Sequence, residues 1–197
     1  VETSLGREAG AFALAVQEDG KILVGGYGET YGQDDYAVLR YNANGSLDTS
    51  FGANGYVTFR EDRRDIYTGK VLGLEVQPNG YILLSGQGNG SLLRLDQDGQ
   101  LDPSFGIGGK ALGNTLPTRA ERLALQDDGK VIIAGYQQGY FDGVYESNFA
   151  INRFNKSGIA DSTFAASDTL GGAIEYTENA IAVLLDSDVQ IYDVELS

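Results

Sequence analysis

The chain has 197 residues, with 28 acidic against 14 basic side chains and a net charge of −14, and it contains no Cys, His, Trp or Met. Thiol nucleophiles, disulfides, histidine bases and imidazole or thiolate metal ligands are therefore excluded, and with them Ser–His–Asp and Cys–His catalysis. The acidic balance matches neither nucleic-acid phosphates nor an anionic membrane surface, and it loosely favours cations.

No apolar run approaches the ~18 residues of a membrane span, so no membrane span is expected. The missing Met leaves no initiator, as expected of a processed chain or an excised fragment. Gly is frequent, at 28, and Pro rare, at 3. With β-rich runs, that points to many tight turns and not to disorder.

Taken in chain order, residues 13–26, ALAVQEDGKILVGG, read as two strands around Asp19-Gly20. Asx-Gly between apolar runs is the strongest short hairpin signal, and a two-residue turn of this kind places both residues at positive φ. A third strand enters LRYNANGSLDTSFG (39–52), which carries Arg40, a turn at Gly45, Asp48 and Phe51. YVTFRE (56–61) follows as a mixed strand, suited to a solvent edge.

The order then repeats. LGLEVQPNGYILLSG (72–86) is a second hairpin, and LRLDQDGQLDPSFG (93–106) brings Arg94, Gly99, Asp102 and Phe105. ERLALQDDGKVIIAG (121–135) is a third hairpin, and NRFNKSGIADSTFA (152–165) brings Arg153, Gly158, Asp161 and Phe164. Runs such as KILVGG and KVIIAG are continuous and apolar, as expected of strands buried on both faces. Units of about 50–60 residues with four graded antiparallel strands describe propeller blades. The expected fold is all-β and propeller-like, with repeats at about 11–61, 70–115 and 120–170.

On these residues the chain resembles the delta-60 repeat, a β-propeller-type repeat of large bacterial surface and secreted proteins. The resemblance covers roughly 11–165. It implies a propeller, an extracellular setting at the bacterial cell surface and no known catalysis. The third copy departs from it at Ser157–Asp161, and Ala165 replaces the Gly after Phe.

Residues 171–197 differ in phrasing. GGAIEYTENAIAVLLDSDVQIYDVELS resembles the start of a cadherin-like module in bacterial adhesins. On that resemblance, inter-module calcium near Glu178, Asp186, Asp188 and Asp193 is implied. The same residues also lie on the hairpin pattern as a degenerate fourth unit, with Asp188 at the turn position of Gly20, Gly80 and Gly129. A strand-donating tail is the third reading. Three blades do not close a ring, since propellers have four to eight. The edges are then filled by the tail, by a second copy of the chain or by neighbouring modules of a longer chain.

Four sets of residues carry candidate roles. Asp96, Asp98 and Asp102 around Gly99 offer oxygens at alternate positions, as for Ca²⁺, but the bidentate Glu of a full calcium loop is missing. Their plainer reading is a turn capped by its own side chains, and Asp34-Asp35 likewise read as a solvated turn. Arg40, Arg94 and Arg153 stand eight residues before Asp48, Asp102 and Asp161. Each pair is expected to pin a blade turn by bidentate bonds, against the alternative of an anion-binding ring of Arg. Phe51, Phe105 and Phe164 read as apolar plugs between blades. Tyr27, Tyr31, Tyr136, Tyr140, Phe141 and Tyr145 fall near long second–third strand loops. They suit a glycan or a protein partner, or loop packing. No carboxylate pair has a catalytic setting, so no enzyme is expected. GIGGK (106–110) lacks the phosphate-loop spacing. The expected function is an extracellular structural and adhesive module that self-associates. Glycan or protein recognition by the Tyr-rich rim is the alternative.

Overall fold

The first hairpin of each repeat turns on a glycine at positive φ. Gly20, Gly80 and Gly129 have φ of 81°, 81° and 78°. The turn is not the two-residue form expected above, because Asp19, Asn79 and Asp128 do not share the positive φ. Gly20 N–H donates to Gln17 C=O at 2.9 Å, and Gln17 N–H donates to Lys21 C=O at 2.8 Å. This is a three-residue loop ending in a glycine bulge. The Asx side chain instead caps the exit: Asp19 Oδ1 accepts from Lys21 N–H at 3.1 Å, and Asp128 Oδ1 from Lys130 N–H at 3.0 Å.

The computed structural model describes residues 1–30, 33–59, 69–87, 92–111, 119–141 and 144–164. Residues Val1–Asp161 form one compact unit, and Ser162–Ser197 a second. All described regular structure is strand. The first repeat is a four-stranded antiparallel sheet in the order β1-β2-β3-β4: β1 (Ala9–Val16), β2 (Ile22–Thr30), β3 (Gln33–Tyr41) and β4 (Tyr56–Phe59). The second repeat holds β5 (Lys70–Val76), β6 (Ile82–Gln87) and β7 (Leu92–Leu95). At its fourth position the described residues show a bridge between Leu93 and Lys110. The third holds β8 (Arg119–Leu125), β9 (Val131–Phe141) and β10 (Val144–Phe154). One pair, Gln87 at the end of β6 with Arg119 at the start of β8, joins the strands of the second and third repeats into one six-stranded sheet. The same bulge interrupts each first strand, between Ala11 and Ala13, Val71 and Gly73, and Ala120 and Arg122. A bulge repeated at one position is a built feature that sets the same local twist in every repeat.

Alternation along the strands gives each sheet two faces, and the repeats stack face on face. The face of the first repeat that looks towards the second carries Leu23, Tyr36, Val38 and Phe51. It packs on Val71, Leu74, Ile82, Leu84, Leu93 and Leu95 of the second repeat, forming one core. The other face of the second repeat, with Leu83, Leu92 and Phe105, packs on Ala120, Val131, Ile133 and Phe154 of the third. We call the face towards the following repeat the back, and the opposite one the front.

Sandwiching explains where the burial expected of the second strands holds. β6 is buried from Ile82 to Gly86, because its repeat has a neighbour on both sides. KILVGG and KVIIAG are less uniform. In β2, Leu23 is buried but Ile22 and Val24 on the front are half-exposed; in β9, Val131 and Ile133 on the front are buried but Ile132 on the back is not. Their uncovered faces are those that no further repeat overlies among the described residues. β4 is an edge strand with a mixed pattern, as expected of YVTFRE.

The plug residues fit the turn glycines of the next repeat. A Cβ on Gly99 would come within 2.8 Å of the Phe51 ring, and one on Gly158 within 2.8 Å of the Phe105 ring. Both glycines also have positive φ, 88° and 76°. Phe105→Ala is expected to cost about 3–5 kcal/mol in urea unfolding. Gly99→Ala should cost at least about 1–3 kcal/mol through backbone strain, plus the clash with Phe51. Wild-type stability in either variant would contradict the plug-and-turn packing.

Candidate functional site

The most ordered polar constellation is the third-strand arginine with the turn that follows it. Arg40 leaves β3 on the back face, and the chain folds back through Asn42–Gly45 to bring Asp48 beneath it. Asp48 N–H donates to Arg40 C=O at 2.9 Å, which fixes the return. Arg40 Nε then donates to Asp48 Oδ2 at 2.7 Å, with both side chains more than 90 % buried. Arg94 Nε donates to Asp102 Oδ2 at 2.7 Å, and Arg153 Nε to Asp161 Oδ2 at 3.0 Å. The pairing expected from the eight-residue spacing is therefore present in all three repeats.

Its geometry differs from two parallel bonds. Nε and Nη2 of Arg94 both meet Oδ2 of Asp102. The other oxygen, Oδ1, accepts from Ser104 N–H at 2.9 Å and Ser104 Oγ–H at 2.8 Å. Asp48 Oδ1 is held likewise by Ser50, at 3.2 Å and 2.6 Å. The hydroxyl two residues after the Asp occupies the place of the second guanidinium arm, so each carboxylate is saturated within its own repeat.

The remaining arm reaches the next repeat. Arg40 Nη1 donates to Gln97 C=O at 2.7 Å, and Arg94 Nη1 donates to Lys156 C=O at 2.8 Å. Gly52 N–H donates to Asp98 C=O at 2.9 Å, and Gly106 N–H to Ser157 C=O at 2.6 Å. The Arg40 guanidinium also lies 4.6 Å from the Phe51 ring centroid, and that of Arg94 4.5 Å from Phe105. Arg, Asp and Phe thus form one junction that grips the following turn. This reading replaces an anion channel, because the guanidiniums of Arg40 and Arg94 are spent on carboxylates and carbonyls.

Charge shifts follow from these contacts. Ser50 holds Asp48 far below the usual carboxylate range, with Lys21 at 3.1 Å and Arg40 adding to it against the opposing effect of burial. Burial pushes Asp102 up, but the Ser104 amide and hydroxyl and Arg94 outweigh it, and the net shift is downwards. In the second repeat Tyr81 stands where the others have Lys, its ring 5.3 Å from the Arg94 guanidinium.

Of the calcium candidates Asp96, Asp98 and Asp102, two carboxylates are engaged in contacts of their own. Asp96 Oδ1 accepts from Asp98 N–H and Gln100 N–H at 3.0 and 2.8 Å, capping its own turn, while Asp102 faces Arg94. Among the described residues no three carboxylates gather in a metal-holding group. Asp35 is not in a solvated turn either: it lies in β3 and is buried. Glu178, Asp186, Asp188 and Asp193, with all three readings of 171–197, lie outside the described residues, as does Tyr31.

A scan against protein-family models matches the chain to a beta-propeller domain of unknown function, DUF5122, at residues 17–51, 77–105 and 126–164. Together these matches span more than half of the chain. The chain belongs to the DUF5122 beta-propeller family. No curated protein matches it. Each family match begins at the hairpin glutamine and ends on or near the plug Phe, so it spans the Arg–Asp junction of its repeat.

In this DUF5122 propeller Tyr27, Tyr136, Tyr140 and Tyr145 lie on strands and not in loops. Tyr27 in β2 stacks on Phe12 at 5.9 Å, with Lys70 of the second repeat 4.2 Å above its ring. Tyr136 in β9 holds Arg119 at 6.0 Å. Tyr140 and Tyr145 pair across β9 and β10, edge to face at 5.3 Å, and remain 77 % and 57 % exposed. Phe141 ends β9, paired with Val144. Phe164 is half-buried in the second compact unit. Sequence reading gave no role to Tyr36, which is buried between the first two repeats, or to Gln17, Gln77 and Gln126. Those three share one repeat position, and each buries a side-chain oxygen with no protein partner. Their recurrence was the available signal.

Asp48→Asn should cost about 3–5 kcal/mol near pH 7, because it leaves Arg40 buried without its counter-charge. A lowered carboxylate stabilises above its ordinary pKa of about 4 and loses that contribution as pH falls towards the folded value. The stability gap between wild type and Asp48→Asn should therefore be constant from pH 7 to about 5 and shrink below about 4. Thermal unfolding across that range measures it; an unchanged gap would contradict the assignment.

Proposed function

We propose that this propeller chain is a structural and adhesive module of an extracellular bacterial protein, assembling through blade faces and strand edges. The observation that carries the reading is the exposed back of the third repeat. There Phe149 and Ile151 are 105 % and 49 % exposed, while Tyr36 and Val38, at the same positions of the first repeat, are 1 % and 0 % exposed. Contiguous apolar surface of this kind marks an interaction site. The resemblance to delta-60 repeats supports the cell-surface setting. The recurring polar constellation is spent on contacts that build the blades, which supports a structural role. The second reading, recognition of glycan or protein, is favoured by the exposed Tyr140–Tyr145 pair, which offers rigid amphipathic area.

Solution mass by light scattering tests the assembly reading. The expected mass exceeds that of the 21.0 kDa chain. The assembled fraction should rise with salt, because copies of like charge repel less when screened. EDTA should leave it unchanged. Dissociation in EDTA would make a cation part of the contact, and a monomer at all concentrations would sink the reading. Micromolar binding on a glycan array, lost in Tyr140→Ala, would favour the second reading instead.

A further inference from the structure

The two exposed faces of Val1–Asp161 are the two halves of a junction that the chain already builds twice. On the front of the first repeat, Leu14 and Val16 are 69 % and 63 % exposed. Leu74, at the repeat position of Leu14, is 8 % exposed because it packs on the back of the first repeat. The turn glycine follows the same rule. Gly99 and Gly158 are buried under a preceding Phe, whereas Gly45 is half-exposed.

Inside the chain, the Tyr36 ring lies across two small residues of the second repeat. A Cβ on Gly69 or Gly86 would come within 2.8 Å of it. The same positions in the first repeat are Ala9 and Gly26. Both line an open cleft of about 470 Å³ on the front face, with Val24, Leu39 and the segment 1–5 on its walls. Among the described residues no ring fills it, and Phe149 holds the position of Tyr36 on the exposed back.

Residue sizes also match across the proposed contact. In the first junction Gly25 faces Val71, whose Cγ1 lies only 2.6 Å from where a Cβ on Gly25 would stand. The equivalent pair in the second junction is Ser85 and Ala120. Between the back of the third repeat and the front of the first, the pair is Ala134 and Ala11. The larger back residue meets the smaller front residue, so the added methyl has room.

We propose that a second copy of this chain docks head to tail, with Phe149 of one copy entering the cleft over Gly26 of the next. This rests on the assembly reading above and names its partner and contact. The surfaces differ, so the contact is heterologous and closes as a ring or extends as a filament. The three described repeats fall short of the four to eight of a closed propeller, and a second copy supplies the rest.

Sedimentation velocity of the full chain tests it with one variant on each face, Phe149→Glu and Leu14→Glu. Both side chains are exposed, and circular dichroism should find both variants folded; Ile151→Glu and Val16→Glu form a second pair if either is not. Each variant alone should associate about 100-fold more weakly, because the docked face buries an unpaired charge. Phe149→Tyr, which restores the ring of Tyr36, should assemble like wild type. An equimolar mixture of the two Glu variants keeps one intact back and one intact front. It should form a 1:1 pair of twice the chain mass and nothing larger. Wild-type assembly that both variants leave unchanged would overturn the head-to-tail contact while leaving the assembly reading standing. So would variants that are monomeric alone and do not pair when mixed. A monomeric wild type would overturn both.

Discussion

The repeat arginine is the interaction on which the rest depends. Its guanidinium holds a carboxylate in its own repeat, a carbonyl in the next and the face of a Phe between them. A charged group buried this deeply is tolerable only when its donors are satisfied and its charge is matched. The carboxylate is matched in turn by a hydroxyl two residues on. The cost of burying charge is thus met locally, while the geometry it enforces is non-local: a turn in one repeat is placed by an arginine in the one before.

Apolar packing follows that placement. Once the next turn is gripped, its glycine lies against the plug Phe, and the back of one sheet meets the front of another. A side chain at Gly99 would strike both Phe51 and Val57, so close approach and positive φ select glycine there together. Stacking of this kind is directional. Each repeat offers a back and needs a front, and the middle repeat alone has both within Val1–Asp161. Its strands are accordingly the most completely buried.

Several features were legible in single residues. Asx-Gly turns, the eight-residue Arg–Asp spacing and the recurring Phe gave the repeat, the all-β fold and the pinning pair. The turn type was less legible, because Asp-Gly suits both two- and three-residue hairpins, and hydrogen bonding selected the latter. Tyr27, Tyr136, Tyr140 and Tyr145 looked like loop residues because polar and glycine-rich neighbours mask a strand, yet hairpin pairing extends β9 and β10 to eleven residues each. Tyr36 escaped notice because its partners, Gly69 and Gly86, are distant in sequence and carry no side chain to advertise a contact.

Local chemistry is what the sequence by itself determined: which residues turn, which alternate, and which carboxylate belongs to which arginine. Those are interactions within about ten residues, and spacing encodes them. Tertiary structure alone decided what lies on each face. Whether Leu14 or Leu74 is buried, and whether Tyr36 or Phe149 is covered, depends on the presence of a neighbouring repeat and not on the residue. Equivalent positions carry similar side chains, so their different burial could come only from the stacking.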